Sequence, residues 1–225
     1  MTQIHHRRSS DNPYIETIWQ SKNVTDGLYH ATPDGSWDLI TLIDTDGSKQ
    51  MMLTGQATKT YDVPYRAGTG SVVISFVAGA YMPHIPAAKI RDLVEILPKA
   101  DAEHFMLAGH RFEFPTYENA EALVEQLQAT GILKRNALVD TALAGSSQAG
   151  SNRTAQRHFA QTTGLTQKSM KQIRRAKQAV KMIQTGSKPV DVAAETGYAD
   201  QAHLSKSLKR IMGTTPSDVD HIHKL

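Results

Sequence analysis

The chain has 225 residues, no cysteine, 25 Lys plus Arg against 22 Asp plus Glu, and a formal net charge of +3 at pH 7. That length accommodates two modest domains or one large one. The lack of cysteine excludes disulfides, thiolate zinc sites and cysteine nucleophiles, and fits a reducing cytoplasm. The small net charge hides a split. Residues 1–130 carry 10 basic against 16 acidic side chains, net −6, and residues 131–225 carry 15 against 6, net +9. A reversal of sign halfway along implies two domains with different partners, the basic one suited to a polyanion.

The first dozen residues read as a loose tail, and the polar residues after Arg7-Arg8 argue against a secretion signal. From Pro13 to about Phe114 the pattern is strand-like. Strands are expected at Tyr14 to Trp19, Leu28 to His30, Trp37 to Ile43 and Ser71 to Val77, parted by turn signals at Pro33-Asp34-Gly35, Asp46-Gly47 and Ala67 to Gly70. The longest apolar run, Val72 to Met82, is broken by Ser75 and Gly79. It is a buried strand rather than one of the roughly 20-residue spans that cross a membrane. Ala87 to Leu97 predicts a short helix, with Ile90, Leu93, Val94 and Leu97 on one face and Pro98 closing it. Short strands at this spacing predict a small sandwich or partial barrel.

Nothing in this half points to catalysis or a cofactor. His30, His84, His104 and His110 form neither H-x-H nor H-E-x-x-H, so no metal site is assigned. Gly68-Thr69-Gly70 lacks a third glycine and precedes a strand, so it is not a phosphate loop. Trp19, Trp37, Tyr29 and Phe76 are read first as core, with the lining of a small-effector pocket as the alternative. Pro33-Asp34-Gly35-Ser36-Trp37-Asp38-Leu39, followed by Phe76-Val77-Ala78-Gly79, resembles an uncharacterised β-rich, cupin-like domain found in front of helix-turn-helix regulators. That resemblance implies no particular ligand.

The basic half is helical. Asn119 to Gln128 is amphipathic, with Ala122, Leu123, Val124 and Leu127 inward, and a second run spans Asn136 to Leu143. Gly145 to Gly150 reads as a turn, Ser151 as the N-cap of the next helix and Gly164 as its C-terminal stop. On that helix Ala155 and Phe159 face in, while Arg153, Gln156 and Arg157 face out as a compact patch. Arginine pairs bidentately with guanine edges and glutamine with adenine edges. Thr166 to Gln184 predicts a long helix, capped by Thr166 and stopped by Thr185-Gly186. Its apolar stripe is Met170, Ile173, Ala176, Val180 and Ile183, and Lys168, Lys171, Arg174, Arg175, Lys177 and Lys181 make its other surfaces basic. Its 19 residues span roughly 28 Å. Successive major-groove faces lie about 34 Å apart, so such a helix can hold two recognition helices near one-turn spacing.

Ser187-Lys188-Pro189 opens the last unit, proline suiting a first helical turn. Asp191 to Arg210 reads as two short helices with Gly197 at the turn and Asp200 as N-cap. Leu204, Leu208 and Ile211 or Met212 share one face, and Gln201, Ser205, Lys206 and Lys209 the other. Gly213 to Pro216 ends the second recognition helix, and His221 and His223 belong to a frayed end.

Ser151-x-Arg153-Thr154-x-Gln156-Arg157-x-Phe159 with Gly164, Gly197-Tyr198-Ala199-Asp200-Gln201-Ala202-His203-Leu204-Ser205, and Leu208-Lys209-Arg210 with Gly213, Thr215 and Pro216 resemble the DNA-binding domain of the AraC/XylS regulators. The resemblance implies two helix-turn-helix units on one connecting helix. By motif position it implies base contacts at Arg153, Gln156 and Arg157 in the first unit, and at Gln201, Ala202 and Lys206 in the second. Three positions depart from the pattern: Ala155 replaces a larger aliphatic, Gln167 replaces a frequent proline, and Gly145 to Gly150 lacks the usual turn.

The expected fold is α+β, with a β-rich sensor or dimerisation domain over residues 1–116 and an all-α DNA-binding domain over 117–225. The expected function is a cytoplasmic, non-enzymatic transcription regulator of double-stranded DNA, controlled by a small effector or by homodimerisation. RNA polymerase is the protein partner the resemblance implies. The rival is a small-molecule enzyme or binding domain whose helices bind nucleic acid nonspecifically. A DNA-repair methyl acceptor fused to such helices needs a cysteine, which the chain lacks.

Overall fold

Alternation of side chains along four antiparallel strands decides the N-terminal architecture. The computed structural model describes residues 3–143 and 153–219. Strands β1 (Gln3–Arg8), β2 (Ile15–Asn23), β3 (Gly27–Ala31), β4 (Trp37–Ile43), β5 (Lys49–Thr54), β6 (Tyr61–Tyr65), β7 (Gly70–Phe76) and β8 (Ala80–Tyr81) precede helix α1 (Ala87–Ile90). Strands β9 (Val94–Ile96), β10 (His104–Leu107) and β11 (His110–Glu113), helix α2 (Ala120–Ala129) and strand β12 (Lys134–Arg135) complete the first half. Six strands pair in the order β1-β2-β7-β4-β5-β9, and β3-β6, β10-β11 and β12-β8 make two-stranded ribbons.

One face of the large sheet carries Ile18, Trp37, Leu39, Met51, Leu53, Ile74 and Phe76, all buried in the first core. Trp37 stacks on Phe76 with ring centroids 4.1 Å apart, and its indole Nε1 donates to the Ala80 carbonyl at 2.7 Å. Leu123, Val124 and Leu127 of α2 close this core, together with Ile132 and Leu133. The second core gathers Ala78 of the first half with side chains from Val139 onward.

Two expectations are corrected. Residues Gln3–Arg8 are not a tail: they pair antiparallel with β2, and the Arg8 guanidinium binds the Glu121 carboxylate and the Tyr117 carbonyl on the α2 side. The helix expected over Ala87 to Leu97 stops at Ile90, because Val94–Ile96 pairs instead with the free edge of β5. Asp92 makes the intervening turn at φ 58°, its carboxylate accepting from the Thr58 backbone N–H at 2.6 Å. Leu93, Val94 and Ile96 are exposed, so the spacing that imitated a helix face buries only Leu97.

The C-terminal half holds α3 (Ala137–Leu143), α4 (Arg153–Thr163), α5 (Gln167–Gln184), α6 (Pro189–Glu195) and α7 (Gln201–Met212). The Gly145 to Gly150 turn, the Ser151 cap, and His221 and His223 lie outside the described residues. Among the described residues no helix is long and apolar enough to cross a membrane.

Three side-chain contacts help to dock the two halves. Arg91 donates to the Gly164 carbonyl at 3.0 Å, the Thr60 hydroxyl donates to the Ile211 carbonyl at 3.3 Å, and Lys177 faces Asp34 at 3.9 Å. Gly164 sits at φ 72°, and a Cβ there would lie 2.8 Å from the Ala87 carbonyl oxygen. Gly164→Ala is expected to lower stability by about 1–3 kcal/mol in urea titrations. The comparison is Gly186→Ala, also at positive φ but with no atom within 4 Å of its added Cβ. Gly186→Ala should therefore cost only the backbone part, and equal losses in the two variants would dismiss the steric role of the α1–α4 contact.

Candidate nucleic-acid interface and pocket

Local rules build the helical half as expected. The Thr166 hydroxyl accepts from the Ser169 N–H at 3.1 Å, Asp200 accepts from the His203 N–H at 2.6 Å, and Pro189 stands in the first turn of α6. Gly197 takes φ 75° at the turn and Gly213 φ 69° after α7. Met170, Ile173, Ala176, Ala179 and Val180 form the buried stripe of α5, and the small Ala176, Ala179 and Ala193 let the helices approach closely. Ala179 joins the expected stripe, while Ile183, expected in it, is only partly buried.

Two residues at expected family departures or basic positions hold the units together. Gln167 donates its amide to the Ala142 carbonyl at 2.8 Å, tying α3 to the start of α5. Arg175 is not free basic surface: its guanidinium lies 4.0 Å from the Tyr198 ring centroid and donates to the Gly197 carbonyl at 3.2 Å. It thereby fixes the turn of the second unit on the connecting helix. Tyr198 packs edge-on against His203, with centroids 5.3 Å apart.

All six residues expected at base edges are exposed. Arg153, Gln156 and Arg157 occupy the first half of α4, opposite the face that buries Phe159. Gln201, Ala202 and Lys206 occupy the first half of α7, opposite Leu204, Leu208 and Ile211. Each trio thus presents a solvated face from a helix whose other side is locked into the second core.

The sheet's other face makes a pocket that motif reading left open. Register places three rows of side chains on it. Thr17, Ser75, Asp38 and Thr54 form the first, Trp19, Val73, Ile40 and Met52 the second, and Ser21, Ser71, Leu42 and Gln50 the third. The β3–β6 ribbon faces these rows with Tyr29, Tyr61, Val63 and Tyr65, enclosing a cavity of about 670 Å³. Trp19 and Tyr29 therefore belong to the pocket, their rings 5.9 Å apart, whereas Trp37 and Phe76 are core. A second cavity of about 420 Å³ lies between Trp37, α1 and the end of α4.

Asp38 is the charged group on the pocket floor. One carboxylate oxygen, Oδ2, accepts from the Thr54 hydroxyl at 3.2 Å, while the other, Oδ1, is buried with no hydrogen-bond partner. Burial and then the charge of Asp34 push the carboxyl up to about 7. Burial also pushes the Tyr29 phenol up to about 12, with Asp38 adding to it. The same two causes raise Tyr61. Alternation along β4 turns Asp38 away from the core; the Pro33 to Leu39 stretch that carried a resemblance contains it but gave it no role. His30 and His104 pair with Asp62 and Asp101 instead of gathering around a common point.

Residues 149–221 match a family model described as a helix-turn-helix domain, of the AraC type. No protein of curated function matches the sequence. Among solved structures, the chain is similar to ToxT from Vibrio cholerae, 11% identical over 97% of both chains with a TM-score of 0.43. It is also similar to ToxT from Vibrio cholerae O395, 10% identical over 100% of this chain and 99% of that one, with a TM-score of 0.42. A third, wild-type ToxT from Vibrio cholerae strain SCE256 bound to an unsaturated fatty acid, is 10% identical over 99% and 96% of the chains, with a TM-score of 0.41. Likeness of this degree leaves function to the local chemistry.

The raised Asp38 carboxyl has a consequence for stability. Between about pH 4 and 7 the folded chain keeps a proton that the unfolded chain has lost, so stability falls as pH rises through that window. Asp38→Asn should remove this slope and raise the melting temperature at pH 7.5 more than at pH 5. Equal shifts at the two pH values would contradict the assignment.

Proposed function

Residues 149–221 are an AraC-type helix-turn-helix domain, and on that premise we propose that the chain is a sequence-specific transcription regulator of double-stranded DNA, not an enzyme. Its two recognition helices, α4 and α7, read adjacent major grooves. The observation that carries this reading is the exposure of Arg153, Gln156 and Arg157 on one helix and of Gln201, Ala202 and Lys206 on the other. Both helices pack on the 18-residue α5, about 27 Å long, against a groove spacing of about 34 Å. Lys168, Lys171, Arg174 and Lys181 on α5 supply phosphate attraction, which sets register without reading sequence.

The pocket behind β4 holds a small effector in this reading. It is concave and walled by aromatic rings, and it sets an apolar row of side chains beside polar and charged ones, which can orient a small molecule. Effector occupancy reaches the recognition helices through the docking contacts at Asp34, Thr60 and Arg91. Cytoplasmic location, contact with RNA polymerase and pairing of two chains through the N-terminal half belong to the same proposal.

Selection of bound sequences from random DNA tests the reading directly. A defined two-part site should emerge, and on it Arg157→Ala should cost about 1–3 kcal/mol and relax preference at one position. Equal weakening on every sequence would reassign Arg157 to a phosphate. Failure of any site to emerge would refute sequence-specific recognition.

A further inference from the structure

We propose that the pocket takes an organic amine, its protonated nitrogen held by Asp38 and Asp34 beside Tyr29 and Tyr61 and its apolar body lying on Ile40 and Val73. This rests on reading the pocket as the effector site and names the chemistry of what enters it.

The three rows of the floor differ in character, and their order specifies a shape. The Asp38 row is polar and acidic, and the next is apolar from Trp19 to Met52. Neighbouring rows are two residues apart along each strand, about 6.8 Å. A ligand that satisfies both carries its charge roughly that far from the centre of its apolar body. Two or three methylenes between an ammonium and a ring achieve this.

The sign of the charge follows from the carboxylates. Among the described residues no cation lies within ion-pair distance of Asp38, and its Oδ1 is buried without a hydrogen-bond partner. Burial and the like charge of Asp34 favour the neutral acid over the opposing pull of Ser75, Thr54 and the more distant Lys177. A protonated amine supplies both the missing charge and a donor to Oδ1. Aromatic faces add to this, since Trp19, Tyr29 and Tyr61 line the same cavity and ring faces attract cations. Three of the cations on the wall already face carboxylates, Lys49 with Glu103, Arg66 with Asp44 and Lys177 with Asp34. Arg7, paired with Trp19 and acting on Tyr29, and Lys99 also line the cavity and give an anion its own foothold to be tested.

Asp34 gives the amine a route to the helical half. Its Oδ2 stands 3.9 Å from Lys177 Nζ on α5, and both side chains are about one-third exposed. An ammonium bound between Asp38 and Asp34 competes with Lys177 for the same carboxylate. Occupancy thus weakens a tether to the helix that carries both recognition units.

The test uses the full chain with phenethylamine and 3-phenylpropylamine as probes, and 2-phenylethanol and 3-phenylpropionate as neutral and anionic counterparts. Thermal melting and tryptophan emission, to which the pocket's Trp19 contributes, report binding. At tenfold excess over Kd the amines should raise the melting temperature by about 3 °C or more. The alcohol and the carboxylate should not. Asp38→Asn, or Asp34→Asn should the first variant misfold, should weaken amine binding about tenfold or more. An equal or larger response to the alcohol or the carboxylate, undiminished amine binding by both variants, or silence with every amine overturns the proposal. A response to the carboxylate alone would keep the effector pocket and discard the amine. Selection of bound DNA, run on the same preparation, reports separately on the regulator reading.

Discussion

The two-residue period of β4 is the constraint on which the N-terminal half depends. Trp37, Leu39 and Thr41 turn one way into the core, and Asp38, Ile40 and Leu42 turn the other way into the pocket. A slip of one residue against β7 would exchange the two sets, placing a carboxylate among Ile74 and Phe76 and an indole in the cavity. Core packing therefore enforces the pocket. The Trp37–Phe76 stack and the indole bond to Ala80 hold the register, and the register alone puts Asp38 opposite Tyr29 and Tyr61. Chemistry on one face is specified by burial on the other.

The same economy appears in the helical half. Small residues on α5 and α6 buy close packing, and that packing leaves Arg175 lying on Tyr198, where it joins the connecting helix to the turn of the second unit. Lys177, two residues on, points to the other half of the molecule. A single stretch of α5 thus touches both the turn before α7 and the pocket wall, and its basic composition divides into residues used internally and residues left exposed.

Much of this was readable from the chain because it is local. The β4 strand, the caps at Thr166 and Asp200, the proline opening α6 and the glycine turn at Gly197 are each set by a few adjacent residues. The six expected base-reading residues lie on exposed helix faces for the same reason. What escaped was set at a distance. β1 is a strand because β2 has an open edge and Glu121 lies in reach of Arg8, and neither fact is visible near residue 8. Residues 94–96 satisfy a helical spacing and a strand equally well, and the edge of β5 decided between them. Asp38 lay within an expected strand with no role given to it, and its approach to Tyr29, Tyr61 and Lys177 arises only when remote segments meet.

The three docking contacts fall on particular ends of the helices. Arg91 holds the carbonyl just past the end of α4, and Thr60 holds the carbonyl of Ile211 near the end of α7. Arg153, Gln156 and Arg157, and Gln201, Ala202 and Lys206, occupy the opposite ends. Both helices are gripped by the tail and left open at the tip. If α4 and α7 read DNA as proposed, the pair works like callipers whose hinge is α5 and whose opening is set by the β-rich half. The width between two half-sites would then be a property of the β-rich half as much as of the helices themselves.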